Sequence, residues 1–417
     1  MNGATELQRV LADRRAPRVP ADGRRMGRER HGRLQAEMAR HGVDVALLLH
    51  APHVAYATGR PARGIDVSHA VFERPVAILV AGEDRPHLFG DDVGDIPEDD
   101  LDVKRHPAVW PELDEGAQAL ERALADLVGS LDGHRVALDE CTGAMLRSDL
   151  LGVTDVTDAA PLVGAAKLAK TADELACIAE AQRRNEAAML AIEEEGVRPG
   201  TPHGELAGAF LGRLPELGVD ANLIDPIFQP MPRRVADGPR TPTGAIAFPT
   251  GVGNPVLAEG DIVWVDTGID HNGYASDFGR TWVVGRDPTP SERRLFERWC
   301  EVMGGVLDVL RPGATAGDLC RAAEAAYDGP GRPWLPYFYL AHGVGIESAE
   351  MPLVGTDLGA AFDDALVLAP GMVLVLEPVV WEDGVGDPVL AEGDLVWVDT
   401  GIDHLGYASD FGRTWVV

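Results

Sequence analysis

The sequence predicts a two-domain protein, in which an α/β domain precedes a domain that mixes helices and strands in two similar halves. Apolar runs typical of buried strands alternate with amphipathic helical patterns up to about Val163, which indicates an α/β domain. Beyond Lys167, a long helical pattern, an Arg-Pro-Gly turn and a short helical pattern occur twice. The 417 residues are enough for more than one hydrophobic core.

The first domain begins with a helical pattern, RERHGRLQAEMARHG, which is expected to end at Gly42. VDVALLLH, FERPVAILVAG and HRVALDE are predicted strands, and PELDEGAQALERALADLVGSL is a predicted amphipathic helix. Residues 1–27 are rich in arginine and lack an apolar segment, so we expect a disordered or irregular tail there. The predicted domains are therefore 28–165 and 166–417.

The second domain opens with a helix for which Thr171 is the expected N-cap and Glu174 occupies the capping-box position. TPHGELAGAFLGRL follows as another helix, and SERRLFERWCEVMGGVLDVLRPGATAGDLCRAAEAAY repeats the same order of helix, turn and helix. Because strand-rich sequence follows each helix pair, we expect two similar halves with a site where they meet. The alternative is chance similarity between two ordinary helical hairpins.

Composition limits the classes of partner. The chain has 37 Lys+Arg against 67 Asp+Glu and a formal charge of −30, which argues against nucleic acid and anionic membranes. No apolar run approaches the roughly 20 residues of a membrane helix. The cysteines show no metal-type spacing and are expected to be buried free thiols in a reducing cytoplasm: Cys141, Cys177, Cys300 and Cys320.

The stretch VDTGIDHNGYASDFGRTWVV carries two aspartates, Asp266 and Asp277, eleven residues apart. DIVWVD reads as a strand, TGIDHNG as a turn and YASDFGRTWVV as a second strand, so both carboxylates can face one site. Two close carboxylates repel each other unless a cation or a shared proton lies between them, and a hard or borderline metal ion meets that need. Alone, the pair also fits solvated aspartates of a hairpin.

Two further segments make the pattern specific. AHGVGIESAEMP places His342 at a Gly-rich turn, and PGMVLVLEPVVW places Glu377 at the end of a strand. With the motifs VDTG, SDFGRT, HGVG and PGMV-x-x-LEP in this order, the chain resembles the pita-bread metallohydrolases, such as creatinase, aminopeptidase P, prolidase and methionine aminopeptidase. The alternative is a core histidine and a solvated glutamate.

The resemblance covers about Lys167 to Glu382 and extends to the earlier domain. It implies an α/β two-domain fold, with a creatinase-type N-terminal α/β domain and a C-terminal pita-bread domain of the α+β type with pseudo-twofold symmetry. A homodimer is also expected.

The resemblance implies a site with two divalent metal ions, Mn²⁺ first and Zn²⁺, Co²⁺ or Fe²⁺ as alternatives. Asp266 would bind one ion through both oxygens, Asp277 would bridge both, and His342 and Glu377 would each bind one. The implied reaction is hydrolysis of a small peptide or amide with a bridging water as nucleophile, and Glu377 and His342 are the implied catalytic residues. Substrate-binding residues stay unknown.

Two departures from the family pattern affect the substrate. Family peptidases carry a histidine seven residues after the metal-binding one, where this chain has Ala349 with Glu347 and Glu350 nearby. They also carry a histidine before the first aspartate strand, and TPTGAIAFPTGVGNPVLAEGD has none. Because these groups hold the peptide and stabilise the oxyanion, we expect weak activity on Xaa-Pro peptides. The alternatives are a lyase similar to dimethylsulfoniopropionate lyases and a catalytically impaired metal-binding homologue.

A third departure is a duplication. Residues 251–284 and 384–417 are identical at 31 of 34 positions, which is far more than the loose similarity of the two halves. This indicates a recent duplication, a recombination or an assembly fault.

The duplicated tail contains one candidate ligand. Glu392 lies fifteen residues after Glu377, where the family's last metal-binding glutamate belongs, although Leu390 replaces the usual arginine. Glu392 is therefore a candidate fifth ligand, and the alternative is a four-ligand site. Asp399 and Asp410 are not followed by a second set of the His342 and Glu377 motifs, so these aspartates are predicted to hold no metal.

We expect Asp277→Ala to abolish metal binding, because a bridging carboxylate serves both ions. Asp410→Ala, the matched substitution in the second copy, should leave the metal content unchanged. Metal analysis of the two purified variants checks this, and equal loss of metal in both would contradict the assignment of the site to the first copy.

Overall fold

A computed structural model describes residues 21–59, 74–90, 102–148, 155–219, 221–230, 256–329, 331–334, 338–380, 402–404, 407–409 and 415–416. The chain divides into two compact units, and the division falls between Glu174 and Leu175. The first described helix begins at Gly23. The boundaries at 27/28 and 165/166 stay predictions, and Glu392, Asp399 and Asp410 lie outside the described residues.

The first unit alternates strands and helices. Its elements are α1 (Gly23–His41), β1 (Val45–Leu48), α2 (Ala51–Thr58), β2 (Val76–Val80), β3 (His87–Phe89), β4 (Lys104–His106), α3 (Asp114–Val128), β5 (Arg135–Leu138), α4 (Gly143–Arg147), β6 (Asp155–Asp158) and α5 (Ala160–Leu168). The predicted strands correspond to β1, β2 and β5, and the predicted helices to α1 and α3.

A six-stranded mixed sheet organises this unit, in the order β4-β3-β2-β1-β5-β6. β1 runs antiparallel to β2 and parallel to β5. Leu120 and Leu124 of the amphipathic helix α3 join the buried cluster formed by strand residues such as Val45 and Ile78. The helix α1 ends where predicted, because Gly42 adopts the left-handed conformation (φ 64°) that glycine tolerates best.

The second unit contains the longer helices. Its elements are α6 (Ala172–Glu195), which starts just before the division, α7 (His203–Arg213), a 3₁₀ turn (Pro215–Leu217), β7 (Ala221–Pro230), β8 (Ile262–His271), β9 (Tyr274–Ala275), β10 (Phe278–Val283), α8 (Pro290–Val309), α9 (Ala316–Ala326), β11 (Ala341–Gly343), β12 (Glu350–Val354), α10 (Ala360–Ala365), β13 (Val373–Leu376), β14 (Ile402–His404), β15 (Tyr407–Ser409) and β16 (Trp415–Val416). None of the described helices combines the length and the apolar character that crossing a membrane requires.

The structure tests two predictions, the capping box at the start of α6 and the burial of the cysteines. Thr171 and Glu174 form the predicted capping box, with backbone-to-side-chain bonds of 2.7 and 3.2 Å. All four cysteines are free thiols, and three of them are buried. The expectation of burial is wrong for Cys141, which is exposed. Burial raises the pKa of Cys300 and of Cys320 to about 12, so both thiols stay protonated at neutral pH.

The two predicted halves repeat one another in backbone detail. After α6, Gly200 N–H donates to the carbonyl of Leu257 at 2.7 Å, and after α8, Gly313 N–H donates to the carbonyl of Leu368 at 2.8 Å. Each leucine N–H donates in return to the residue that follows the glycine, at 2.9 and 2.8 Å. Chance similarity between two helical hairpins would not reproduce these long-range bonds, so the halves are structurally equivalent.

The equivalent leucines lead into the strands that position the site. β8 follows Leu257 in a sheet of order β10-β8-β7, and β13 follows Leu368 in a sheet of order β12-β11-β13-β16. Asp266 and Glu377 each lie nine residues after their leucine. The pseudo-symmetry therefore places two predicted metal ligands at matching points of the two sheets.

Two local predictions need correction. The strand β8 continues to His271, so most of the segment predicted as a turn is strand, and only Asn272–Gly273 turns. Both turn residues have positive φ, 55° and 75°, as a two-residue type I′ hairpin requires. His342 lies within the short strand β11, not in a Gly-rich turn, because β12 and β13 pair with it on both sides.

The duplicated tail contributes a strand to the second sheet. β16 pairs antiparallel with β13 and joins Val416 to Val373. β10 pairs antiparallel with β8 and joins Val283, the counterpart of Val416, to Ile262. Val373 and Ile262 each lie five residues after the equivalent leucines, so the copied strand meets the second half in the register in which the original meets the first.

A glycine near the start of α3 allows close packing in the first unit. A Cβ at Gly116 would lie 1.9 Å from the carbonyl oxygen of Trp110 and 2.2 Å from that of Val109. We expect Gly116→Ala to lower the free energy of unfolding by about 1–3 kcal/mol, the usual cost of overpacking.

The matched control for Gly116→Ala is Gly32→Ala in α1, where a Cβ meets nothing within 4 Å. This variant should gain roughly 0.5–1 kcal/mol from helix propensity. Urea denaturation followed by circular dichroism measures both changes, and equal stability of the two variants would contradict the packing argument.

Candidate metal centre

Three predicted ligands meet in the second unit. One ligand atom each of Asp277, His342 and Glu377 lies within 4.8 Å of the others. His342 Nε2 is 3.4 Å from Asp277 Oδ2 and 3.4 Å from Glu377 Oε1. Asp277 and His342 are buried, whereas Glu377 is half-buried. The cluster therefore joins the β8 sheet, which carries Asp277, to the β13 sheet.

The strand β11 fixes His342. Its neighbours on both sides are antiparallel strands, and His342 pairs with Val375 of β13. His342 Nδ1 lies 2.9 Å from the carbonyl oxygen of Gly343. Because a carbonyl only accepts hydrogen bonds, Nδ1 must be the donor, and Nε2 is left to face the carboxylates.

Backbone bonds hold Glu377 just beyond the end of β13. Its N–H donates to the carbonyl of Leu340 at 2.8 Å, which continues the pairing between β13 and the β11 side. The next residue, Pro378, accepts a 2.8 Å bond from the buried indole N–H of Trp299 on α8. These two bonds, one on each side of the carboxylate, limit its movement.

The aspartates belong to the other sheet, one within a strand and one directly before a strand. Asp266 is half-buried in β8 and pairs with Gly279 of β10, while Asp277 lies between β9 and β10. Asp266 is not within the 4.8 Å group. Ala275 N–H donates to the carbonyl of Gly345 at 2.7 Å, which ties the aspartate segment to the residues that follow His342.

The charges of the site are strongly coupled. Burial would lower the pKa of His342, but the hydrogen bonds and charges of Asp277 and Glu377 outweigh it and hold that pKa well above its usual value. Burial raises the pKa of Glu377, and the hydrogen bond from His342 opposes this rise only in part. In the metal-free protein, the imidazolium therefore neutralises part of the carboxylate charge.

The donor set suits a divalent cation. One imidazole nitrogen and two carboxylate oxygens converge, which is a mixture that Mn²⁺, Fe²⁺, Co²⁺ and Zn²⁺ accept. His342 also has the carbonyl partner on its second nitrogen that is usual for metal-binding histidines. The residues present therefore fit the metal that the sequence implies.

Tyr339 is a site residue that the sequence analysis missed. Its ring lies 4.8 Å from the ring of His342 and stacks on Phe338 at 4.0 Å. Burial and the charges of Glu377, Asp277 and Asp266 raise the pKa of Tyr339, so the phenol stays protonated and can donate a hydrogen bond. The aromatic run before His342 was the available signal.

Two polar residues of α6 are also missed. Asn185 is fully buried and bonds to Thr267 and Ser276, and Gln182 accepts the N–H of Asp277 at 3.3 Å. The signal was an amide at position 185 in the buried stripe of a helix, between Ala181 and Ala188 in the helical register.

Of the two departures Ala349 and Glu392, only Ala349 lies among the described residues. Ala349 is exposed and precedes Glu350, which pairs with Gly343 beside His342. Glu392 lies outside the described residues, so its role as a fifth ligand stays a prediction. Its counterpart in the first copy is Glu259, which is exposed in the turn before β8.

The chain matches two family sequence patterns. Residues 176–389 match the metallopeptidase family M24, and residues 30–165 match the creatinase/prolidase N-terminal domain.

Individual relatives agree with the family patterns. The chain is 31% identical to the Xaa-Pro dipeptidase of Pyrococcus furiosus over 57% of this chain and 63% of that protein, so it spans less than two thirds of this relative. It is 27% identical to an uncharacterised peptidase of Bacillus subtilis over 70% of this chain and 78% of that one.

Solved structures extend the similarity to the whole fold. The prolidase from Pyrococcus horikoshii OT3 superposes with a TM-score of 0.66 at 19% identity, over 92% of this chain and 98% of that chain. The prolidase from Pyrococcus furiosus gives a TM-score of 0.65 at 20% identity, over 91% and 99%. The predicted two-domain fold, an N-terminal α/β domain with a C-terminal pita-bread domain, is confirmed.

The raised pKa of His342 predicts a pH dependence. The imidazole carries a proton near neutral pH in the metal-free protein, whereas a metal ion needs the neutral ring, so metal binding must release that proton. The apparent metal affinity should therefore rise with pH and level off above the raised pKa.

Calorimetric titration with Mn²⁺ in buffers of different ionisation enthalpy measures the proton release, which should be about one proton at neutral pH. His342→Gln should release correspondingly less. A pH-independent affinity without proton release would contradict the assignment of charge in this site.

Proposed function

The chain belongs to metallopeptidase family M24, and on this premise we propose that it hydrolyses the amide bond of a small peptide or amide. The observation that carries the proposal is the convergence of Asp277, His342 and Glu377 at one point between two sheets. The names of the relatives, which include Xaa-Pro dipeptidases, support a peptide substrate.

The proposed cofactor is a pair of divalent cations, with Mn²⁺ as the first choice. Asp277, His342 and Glu377 would hold them together with Asp266, and Glu392 is the candidate fifth ligand. The ions would supply Lewis-acid activation of a water molecule and of the scissile carbonyl. The chain's own residues have the remaining tasks.

Glu377 is proposed to move the proton. Its carboxylate is half-buried beside His342, and burial raises its pKa. A carboxylate beside a metal-activated water can take its proton and return it to the leaving amine. His342 Nε2 lies 3.4 Å from Glu377 Oε1, so the two groups are close enough to share one cation.

Tyr339 is proposed to face the substrate. Its phenol stays protonated among the carboxylates and is therefore a hydrogen-bond donor in a site otherwise rich in acceptors. Such a donor can stabilise the negative charge that develops on the carbonyl oxygen during amide hydrolysis.

A homodimer is also proposed, which sedimentation analysis would test.

Amine release from a panel of dipeptides and small amides, measured with the Mn²⁺-loaded protein, tests the proposed reaction. We expect hydrolysis of at least one member and loss of that activity in Glu377→Gln. Metal-loaded protein that releases no amine from any member would refute the proposal. Formation of an alkene acid from a suitable substrate would instead indicate the lyase.

Specificity gives a further prediction. Because Ala349 replaces a histidine of family peptidases, turnover of Xaa-Pro dipeptides should be weak, and Ala349→His should raise it. One oxyanion donor is worth about 10²–10³ in rate. The position is exposed, so the larger side chain has room.

The matched control for Ala349→His is Ser348→His, which adds the same side chain one residue earlier and should have no such effect. Steady-state kinetics of both variants measure the difference. Efficient wild-type turnover of Xaa-Pro dipeptides, with no gain in Ala349→His, would mean that another group already supplies the interaction.

A further inference from the structure

A buried amide on α6 links the two chain segments that carry the aspartates. Asn185 has no exposed surface, and its Nδ2 donates to the carbonyl of Thr267 and to the hydroxyl of Ser276, at 3.0 Å each. Its Oδ1 accepts the hydroxyl of Thr267 at 2.9 Å. Three bonds from one side chain therefore join the helix to β8 and to the residue before Asp277.

The surroundings of this amide are apolar. The same face of α6 buries Ala181, Ala188 and Ile192, and Thr267 and Ser276 are themselves fully buried. An amide buried without partners is costly, and an apolar residue would fill this helical position without that risk. Good helix packing alone therefore does not account for an asparagine here.

The partners of the amide are the residues next to the aspartates. Thr267 follows Asp266, and Ser276 precedes Asp277. Ser276 also accepts the N–H of Ile269 at 3.2 Å, which closes the link back to β8. The amide therefore bridges the two points of the chain from which the carboxylates project.

Strand pairing does not hold Asp277 on its own. The ladder between β10 and β8 begins at Phe278, and β9 ends at Ala275, so Ser276 and Asp277 lie in the gap between two paired segments. Asn185 bonds to the first of these residues, and Gln182, one helical turn earlier on α6, accepts the N–H of the second at 3.3 Å. Ser276 N–H also donates to the carbonyl of Ile269 of β8 at 2.9 Å, so the helix contacts add to one backbone bond at Ser276 and hold Asp277 through its own N–H.

We propose that Asn185 is a positioning residue that fixes the separation of the Asp266 and Asp277 carboxylates, and thereby the affinity and spacing of the bound cations. The inference rests on the proposed function, because it takes both aspartates as ligands. Asn185 itself contacts neither carboxylate in the bonds described and acts through Thr267 and Ser276.

The residues that Asn185 contacts are duplicated in the chain, whereas Asn185 itself is not. The copy contains Asp399, Thr400, Ser409 and Asp410, the counterparts of Asp266, Thr267, Ser276 and Asp277. The duplication covers 251–284 and does not extend to Gln182 and Asn185. Gln182 and Asn185 therefore occur once in the chain, whereas the segment that they contact occurs twice.

Titration of the full-length, metal-free protein with Mn²⁺ tests the inference, with isothermal calorimetry for affinity and electron paramagnetic resonance for the coupling between two Mn²⁺ ions. Asn185→Ala should weaken Mn²⁺ binding by at least about tenfold, which corresponds to about 1.4 kcal/mol, and should change the coupling. Ser276→Ala removes the bond to Ser276, and Thr267→Val removes the hydroxyl bond while the bond to the Thr267 carbonyl stays, so both should weaken binding in the same direction, Thr267→Val less. Because they conserve volume, they keep the test valid if Asn185→Ala does not fold.

A double-mutant cycle separates positioning from general destabilisation. Asn185→Ala and Ser276→Ala break the same bond, so their effects on affinity should be less than additive. The control is Thr315→Val, which removes the helix cap of α9 in the same unit, where Thr315 Oγ1 accepts the N–H of Asp318 at 3.1 Å. It should lower thermal stability and leave Mn²⁺ affinity and coupling unchanged.

The outcomes separate this inference from the proposed function. Folded Asn185→Ala, Thr267→Val and Ser276→Ala variants with wild-type Mn²⁺ affinity and coupling would overturn the positioning role and leave the function intact. A wild-type protein that binds no Mn²⁺, Zn²⁺, Co²⁺ or Fe²⁺ would refute the proposed function itself. Equal loss of affinity in Thr315→Val would show that stability, not position, governs binding.

Discussion

The repulsion between carboxylates that share one buried site is the constraint on which this structure depends. Asp277 and Glu377 both face Nε2 of His342, and Asp266 acts electrostatically on the same tyrosine as they do. Such a cluster persists only if positive charge lies among the oxygens, supplied by a proton on the imidazole or by a metal ion. The pairing of β11 with β12 and β13, and the backbone bonds of Glu377 and Asp277, hold these groups in place against that repulsion.

The two halves hold their acidic residues with equivalent structural elements. Each half has a helix pair, a glycine turn with two reciprocal backbone bonds, and a strand whose acidic residue comes nine residues after the bonded leucine. Each acid then has its own additional support, from α6 on the side of Asp266 and from Trp299 on the side of Glu377. The support is rigid because buried polar bonds in a low dielectric are costly to break.

The fold and the four candidate ligands could be predicted because both follow from local pattern and order along the chain. The structure confirms the fold and brings three of the four candidates together. The Thr171–Glu174 capping box and the apolar runs of β1, β2 and β5 depend only on neighbouring residues. The length of β8 was missed, since Gly268 and Asp270 resemble turn residues and the strand is extended by its pairing with β7 and β9. The role of Tyr339 depends on the charge of Glu377, which is 38 positions away, and the role of Asn185 depends on its bond to Thr267, which is 82 positions away. Local sequence patterns therefore could not assign either residue.

The pairing of β16 with β13 bears on how such a domain can change its length. A strand copied from one half meets the other half in the original register, although the neighbouring sequence differs. The information that aligns the strand must therefore be carried within the copied segment and in features common to both halves, such as alternation of side chains along the strand. A fold with this property can accept a duplicated strand, because the edge of β13 pairs with it. A duplicated strand that is paired in this way does not leave an exposed edge prone to aggregation.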